Sequence, residues 1–287
     1  MHISGTTTLL GLIGTPVAHS KSPAMYNHCF QKFGLDWAYL AFDVPAEQAG
    51  AAVEAIRTLH MRGANVTMPC KNAVIPYLDR LTPAAAAIQA VNTIVNEDGC
   101  LVGHNTDGCG YTQNLRRSGV EVAGKKIVLL GGGGAASAIA IQAALEGAAE
   151  ISVFNLKDAF WPRVEQNLAA IAKAAPGCAI TLHDLEDRAE LKDAIARCDI
   201  LSNATRVGMA PYEDQSNITD LTWFRPDLVV TDVVYAPPAT KMLRQARQAG
   251  CKTCDGLGML LCQGAEAFRL YSGLDMPVEE IRALLYA

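Results

Sequence analysis

Residues 126–140 read "KIVLLGGGGAASAIA", and how this stretch is read decides the fold. The apolar run after Lys126 predicts a buried strand, and the alanine-rich run after the glycines predicts a helix. Between them, Gly131, Gly133 and Ala136 fit G-x-G-x-x-A. Small residues at such a turn let the backbone approach a pyrophosphate, whose charge the helix N-terminus favours. The pattern alone is weak, but the strand before it and the helix behind it agree with it. The competing reading is tight packing of helix on strand with no ligand. The same stretch lies in a charge-free run, Ile127 to Leu145, close to the length of a membrane span. Four consecutive glycines would make poor helix in lipid, so a phosphate loop is predicted and a span is not.

Outward from this loop, the second half of the chain repeats strand and helix. The apolar runs "KIVLLG", "EISVFN", "CAITL", "CDILSN", "DLVVTDV" and "CKTCD" are separated by helical stretches such as 187–197 and 240–250. Six short strands with intervening helices predict a doubly wound dinucleotide-binding domain of Rossmann type, over residues 115–256.

The first part predicts a separate α/β substrate-binding domain, residues 1–114, completed by C-terminal helices over 257–287. "LLGLI" (9–13), "WAYLAFDV" (37–44) and "ANVT" (64–67) read as strands of a mostly parallel sheet, with a helix opening at Ser22-Pro23 and another over 46–61. Near residue 98 the pattern changes. Asp98-Gly99 between the apolar runs "AVNTIV" and "CLVGHNT" predicts a hairpin. A turn centred there sets Asn92 nearly opposite Asn105 and brings Asn92 and Asp107 to one end.

Composition narrows the function classes. The 287-residue chain is half apolar, enough for a sizeable core, and its net charge of −5 with scattered Lys and Arg offers no stripe for a phosphate backbone. No nucleic acid or membrane partner is expected, and a homodimer is compatible with the sequence. The segment "MHISGTTTLLGLIG" lacks a signal-peptide pattern, so a cytoplasmic protein is expected. Nine cysteines at irregular spacing fit reduced thiols. Cys251 and Cys254 form a lone C-x-x-C with no second ligand pair, so no metal is expected; the sequons at Asn65 and Asn203 carry no meaning in that compartment.

Several residues could carry chemistry. Asn155 ends the strand after the glycine loop and Asp158 follows it; a carboxylate there would accept from ribose hydroxyls and repel a 2′-phosphate, which favours NAD. Lys157 argues the other way, since an ammonium balances a phosphate, and the pair also reads as a solvated turn. Lys71 could exchange a proton with a substrate hydroxyl, or be a surface lysine at a helix start. Ser20 and Ser22 before a helix could seat a carboxylate, although spacing alone favours Ser22 as a helix cap. Cys70 beside Lys71 reads as an inert filler.

The motifs "HSKSP", "NVTMPCK", "AVNT", "HNTDG", "GGGGAASA", "VVYAPPAT" and "GMLLCQGAEAF" fall in an order that resembles the shikimate dehydrogenase family over essentially the whole chain. "FNLKDAFW" looks like its quinate/shikimate, NAD-using branch. The resemblance implies reversible oxidation of a ring hydroxyl of shikimate or quinate, with NAD preferred over NADP. It implies Lys71 and Asp107 as the catalytic pair, and Ser20 and Ser22 on the substrate carboxylate. Thr67, Asn92, Tyr235 and Gln263 would contact the ring or its hydroxyls. The loop Gly131, Gly132, Gly133, Gly134 and Ala135, with Asn155, Asp158, Arg206 and Val233, would bind the cofactor, and Gly256 would lie near the nicotinamide.

Three positions depart from the family pattern. Leu156 stands where even this branch often has Arg, Tyr26 replaces a common histidine, and Gly132 replaces a common alanine, a change expected to be harmless. An aminoshikimate dehydrogenase is the nearest enzyme alternative. A regulator that binds the same ligands without turnover is the alternative from another class, disfavoured because Lys71 and Asp107 are both present.

Overall fold

The computed structural model describes residues 3–286 and divides the chain into two compact units, Met1–Thr106 with Gln263–Ala287, and Asp107–Cys262.

The first unit is built on a six-stranded sheet. In chain order its elements are β1 (Thr8–Gly14), α1 (Ser22–Lys32), β2 (Trp37–Asp43), α2 (Ala49–Thr58), β3 (Gly63–Val66), α3 (Cys70–Ala73), β4 (Arg80–Leu81), α4 (Pro83–Ile88), β5 (Thr93–Glu97) and β6 (Cys100–His104). The spatial order is β2-β1-β3-β5-β6-β4. β1 runs parallel to β2 and β3, whereas β5 is antiparallel to both β3 and β6. The sheet is therefore mostly parallel, as expected, with β5 alone reversed, and the Asp98-Gly99 turn returns the chain to the common direction in β6. Both turn residues have positive φ, 51° and 95°, as a two-residue hairpin turn of type I′ requires. Thr93 pairs with His104, so Asn92 and Asn105 stand at the next register position, as the sequence predicted.

One face of this sheet carries a core of Ile13, Val53, Ile56, Val66, Val74, Val91, Ile94 and Leu101, among others. Each fully buried side chain of this kind contributes about 1.5–3 kcal/mol. Against another part of the sheet lies an aromatic cluster. Tyr26 of α1 stacks on Tyr39 of β2 at 4.6 Å, and Phe30 lies 6.1 Å from Phe268. The Tyr26 hydroxyl donates to the Gly264 carbonyl at 3.1 Å, so the tyrosine found where the family often has histidine is buried in packing.

The second unit opens with α5 (Asp107–Arg117), which packs on α6. It continues as β7 (Lys126–Leu130), α6 (Gly134–Leu145), β8 (Glu150–Asn155), α7 (Trp161–Ala174), β9 (Ala179–Asp184), α8 (Arg188–Arg197), β10 (Ile200–Asn203), β11 (Val229–Asp232), α9 (Lys241–Gln248) and β12 (Lys252–Cys254). All five strand pairs are parallel, in the order β12-β11-β10-β7-β8-β9. This is the doubly wound order, with its switch point between β7 and β10. The charge-free stretch at 127–145 resolves into a strand, a loop and a twelve-residue helix. No helix among the described residues is long and apolar enough to cross a membrane.

The chain then enters α10 (Gly256–Ser272), whose second half belongs to the first unit, and ends in α11 (Val278–Tyr286). α11 is tied to α1 by Glu280, which accepts from Lys32 Nζ at 2.6 Å and pairs with His28 Nε2 at 2.7 Å. By packing, the chain changes unit at 106/107 and 262/263, against sequence boundaries of 114/115 and 256/257.

Candidate functional site

In the first unit, parallel and antiparallel strands bring four loop starts to one end of the sheet. β1 and β3 point their carboxyl ends there, and so does β6; β5, being antiparallel to β3, begins there. Backbone bonds stitch these starts together. Thr67 N–H donates to the Ile13 carbonyl at 2.8 Å, and Thr15 N–H to the Met68 carbonyl at 3.0 Å. The Val91 N–H donates to the Lys71 carbonyl at 2.9 Å, and Asn92 N–H to the His104 carbonyl at 3.0 Å. Thr67, Lys71 and Asn92 are thus held within one hydrogen-bonded frame. Lys71 sits in the single turn α3 and is half-buried.

Asn92 is the centre of this frame. It is 5 % exposed, and its Oδ1 accepts from Thr106 N–H at 2.8 Å and from Thr93 Oγ1 at 3.0 Å. Its Nδ2 donates to Thr106 Oγ1 at 3.0 Å and faces Gln263 Oε1 at 3.4 Å. Thr106 immediately precedes Asp107, so the Asn92 amide fixes the chain from which Asp107 projects. Behind it runs a polar line that the sequence reading passed over. Tyr39 Oη donates to Asn65 Oδ1 at 2.8 Å, and Asn65 Nδ2 donates to Thr93 Oγ1 at 3.1 Å. Burial pushes the Tyr39 phenol well above its ordinary range, so it serves as a neutral donor. A lone polar residue inside the apolar run "GANV" was the available signal for Asn65, set aside as a stray sequon.

Ser22 does not cap its helix. Lys21 occupies the N-cap position without a side-chain bond, and it is Ser20 Oγ that accepts from Ser22 N–H, at 3.2 Å. Spacing misplaced the cap because Pro23, suited to the first turn, sits one residue further in than the reading assumed. Cys70 is fully buried, its Sγ donating to the Val44 carbonyl at 3.3 Å, and desolvation raises the thiol above its usual value. It is filler, as read.

In the second unit, the glycine loop follows β7 at the switch point. Gly131 has φ +98°, a conformation that disfavours side chains, and its N–H donates to the Phe154 carbonyl at 2.7 Å. A Cβ on Gly132 would lie 2.6 Å from both methyls of Val164, a stiff β-branched side chain. The glycine that replaces the common alanine is therefore matched to Val164 of α7. Gly132→Ala should push the loop and raise the cofactor KM several-fold while the substrate KM holds. Steady-state kinetics with each substrate varied checks this, and an unchanged cofactor KM contradicts it.

Gly133 and Gly134 are exposed with open space around them, and the first turn of α6 carries no acidic side chain. The first N–H groups of a helix lack intrahelical partners. This cradle fits a dinucleotide pyrophosphate. Asn155 Oδ1 accepts from Gly132 N–H at 2.9 Å, which adds a loop-holding role to the ribose role expected for it. Asp158 is exposed, one carboxylate oxygen accepting from Phe160 N–H at 2.9 Å. Lys157 is turned onto the Trp161 ring, 5.6 Å from its centroid. Arg206 is exposed in the loop after β10, and Tyr235 in the loop after β11. Val233 N–H donates to the Asn203 carbonyl at 3.0 Å, and a Cβ on Gly256 would collide with the carbonyls of Val233 and Val234, so only glycine fits at the start of α10. Burial raises the Cys251 and Cys254 thiols above their ordinary value.

A doubly wound unit with a glycine cradle, in one chain with an α/β unit that gathers a lysine, hydroxyls and amides, defines a two-unit dinucleotide-binding enzyme. Comparisons with known proteins narrow the class. The shikimate dehydrogenase substrate-binding domain matches residues 12–94, and the shikimate 5′-dehydrogenase C-terminal domain matches 256–286. Shikimate dehydrogenase (NADP(+)) of Streptococcus uberis is 50 % identical, over 99 % of this chain and 97 % of that protein. The crystal structure of shikimate 5-dehydrogenase from Listeria monocytogenes, in complex with shikimate and NAD, superposes with a TM-score of 0.96 at 46 % identity, covering 100 % of this chain and 99 % of that one. Quinate dehydrogenase from Corynebacterium glutamicum, in complex with NAD, gives 0.85 at 31 % identity, covering 96 % and 98 %. The chain belongs to the shikimate dehydrogenase family of oxidoreductases.

Proposed function

We propose that this protein reversibly oxidises a ring hydroxyl of shikimate to the corresponding ketone, with NAD as its preferred cofactor. The observation that carries this reading is the Asn92 frame, which holds Thr67, Lys71 and the residue preceding Asp107 at one sheet end beside Gln263. A 46 % identical chain of the same fold that holds shikimate and NAD supports it.

In this reading Ser20 and Ser22 bind the substrate carboxylate, and Ser22, relieved of capping, has its hydroxyl available for that task. Thr67, Asn92, Tyr235 and Gln263 orient the ring through its hydroxyls. Lys71 holds the proton at the reacting oxygen, and Asp107 orients the lysine. The bound dinucleotide supplies hydride acceptance or donation. Lys71 would donate a proton during ketone reduction and accept one during alcohol oxidation; because oxidation releases a proton, it should run best at alkaline pH. Quinate is a second substrate in this account, supported by the likeness to the Corynebacterium enzyme.

The NAD preference rests on the end of β8. Asp158 presents a carboxylate, Leu156 supplies no cation, and Lys157 is drawn to Trp161. A 2′-phosphate would meet net repulsion there, worth about tenfold in affinity at the solvent-exposed surface. The NADP(+) names of relatives at 46–50 % identity make this the point to test. Calorimetric titration should give tighter binding of NAD than of NADP, and Asp158→Ala should narrow the gap. Tighter binding of NADP by the unaltered protein would contradict the preference.

A further inference from the structure

Outside the residues assigned above lies a buried carboxylate with three hydrogen-bond donors, Asp232, the last residue of β11, 2 % exposed. Its Oδ1 accepts from Asn203 Nδ2 and from Val234 N–H, each at 3.0 Å, and its Oδ2 accepts from Thr240 Oγ1 at 2.7 Å. Each partner is itself a fixed point. Asn203, 1 % exposed, ends β10; its Oδ1 accepts from Thr205 N–H at 3.1 Å, Thr205 Oγ1 at 2.6 Å and Asn217 Nδ2 at 3.1 Å. Its Nδ2 also reaches the Val207 carbonyl at 3.0 Å. The loop that carries Arg206 is thereby pinned on both sides of that residue. Thr240 is the N-cap of α9, accepting from Leu243 N–H at 3.3 Å, and it closes the loop 233–239 that Val234 N–H opens.

One carboxylate therefore ties together the loops after β10 and β11, the two that follow the switch-point strand at the carboxyl end of the sheet. We propose that Asp232 is a positioning residue, which acts through Asn203, Val234 and Thr240 to hold Arg206 and Val233 in the arrangement that receives the dinucleotide. The proposal rests on the dinucleotide reading of this unit given above.

Ionisation matters to this role because all three contacts are donors. Protonated, Asp232 would turn a donor of its own toward them and lose at least one bond. Desolvation raises its carboxyl to about 6, offset in part by Thr240, Val234 and Asn203. Among the charged groups on adjoining elements, Asp255, following β12, accepts from Gly258 N–H at 2.7 Å, Lys241 of α9 donates to the Asp214 carbonyl at 3.1 Å, and Arg244 of α9 donates to the Ala239 carbonyl at 2.6 Å. Cofactor affinity should then be full above about pH 6 and decline as pH falls through it. This group's effect on folding has the opposite sign. A carboxyl raised in the folded state contributes most stability below its unfolded value and loses that contribution as pH rises through about 6. Weakened binding at acid pH is thus separable from unfolding by this group.

The test is calorimetric titration of NAD into the full chain and its Asp232→Asn variant across about pH 5 to 8, with KM for NAD and for shikimate measured alongside. The variant should bind NAD about tenfold more weakly at the alkaline end, with the shikimate KM little changed and a pH dependence flatter than that of the unaltered protein. Unchanged NAD affinity in a folded variant, or equal loss in both KM values, would overturn the proposal. Should Asp232→Asn fail to fold, Thr240→Val, which removes the hydroxyl donor, takes its place with a several-fold loss expected and no loss overturning. Unaltered protein that binds neither NAD nor NADP would refute the dinucleotide reading itself; normal binding with undiminished variants refutes only the role of Asp232.

Discussion

Replacing Lys71 with alanine should lower turnover at least about 100-fold, the scale of a positioned acid or base, while NAD affinity barely changes. The separation follows from where the residue sits. Lys71 is in α3 of the first unit, in the frame bonded to Asn92, whereas the glycine cradle belongs to the second unit. Alanine is the better helix former and the Lys71 backbone bond to Val91 survives the change, so the frame should stand. A loss of activity with an unaltered melting temperature would then report chemistry. Undiminished turnover would remove Lys71 from the mechanism.

Asp107→Asn should have a comparable effect, again about 100-fold in turnover, with the shikimate KM raised as well. Asp107 is the first residue of α5 and the acidic residue of its first turn, where a negative charge is favoured by the helix dipole. Asparagine is nearly as good at helix starts and has the same shape, so the fold should lose about 1 kcal/mol at most. The Thr106 backbone would still be held by Asn92 Oδ1. What the change removes is the carboxylate to which the proposed reaction assigns a part in proton transfer. A variant with normal turnover would assign Asp107 to the helix start alone.

Much of this was legible in the sequence where local rules decide the outcome. The six strands of the second unit follow from short apolar runs spaced by helices, and the hairpin at Asp98-Gly99 from residues that accept positive φ. Other features depend on partners far away in the chain. The hairpin brings the chain at Thr106 back to Asn92, but nothing near Asn92 in sequence announces that Gln263 will face it, and nothing near Gly132 announces that Val164 fills the place of a methyl group. The short α3 and the two-residue β4 carry too few residues for any periodicity. Ser22 was misread because Pro23 suits either of the first helical positions, and only backbone geometry shows that the helix starts one residue earlier, with Lys21 at the cap. Asp232 was invisible as a site residue because "TDVV" reads as the polar end of a strand; its meaning lies in the three donors that the fold aims at it.

The most direct test is the initial rate of the purified protein with shikimate and with quinate, each with NAD and with NADP, at alkaline pH. The account predicts ready oxidation of shikimate, with NAD giving the higher kcat/KM. No turnover with any of the four pairs, from protein that binds NAD, would contradict it.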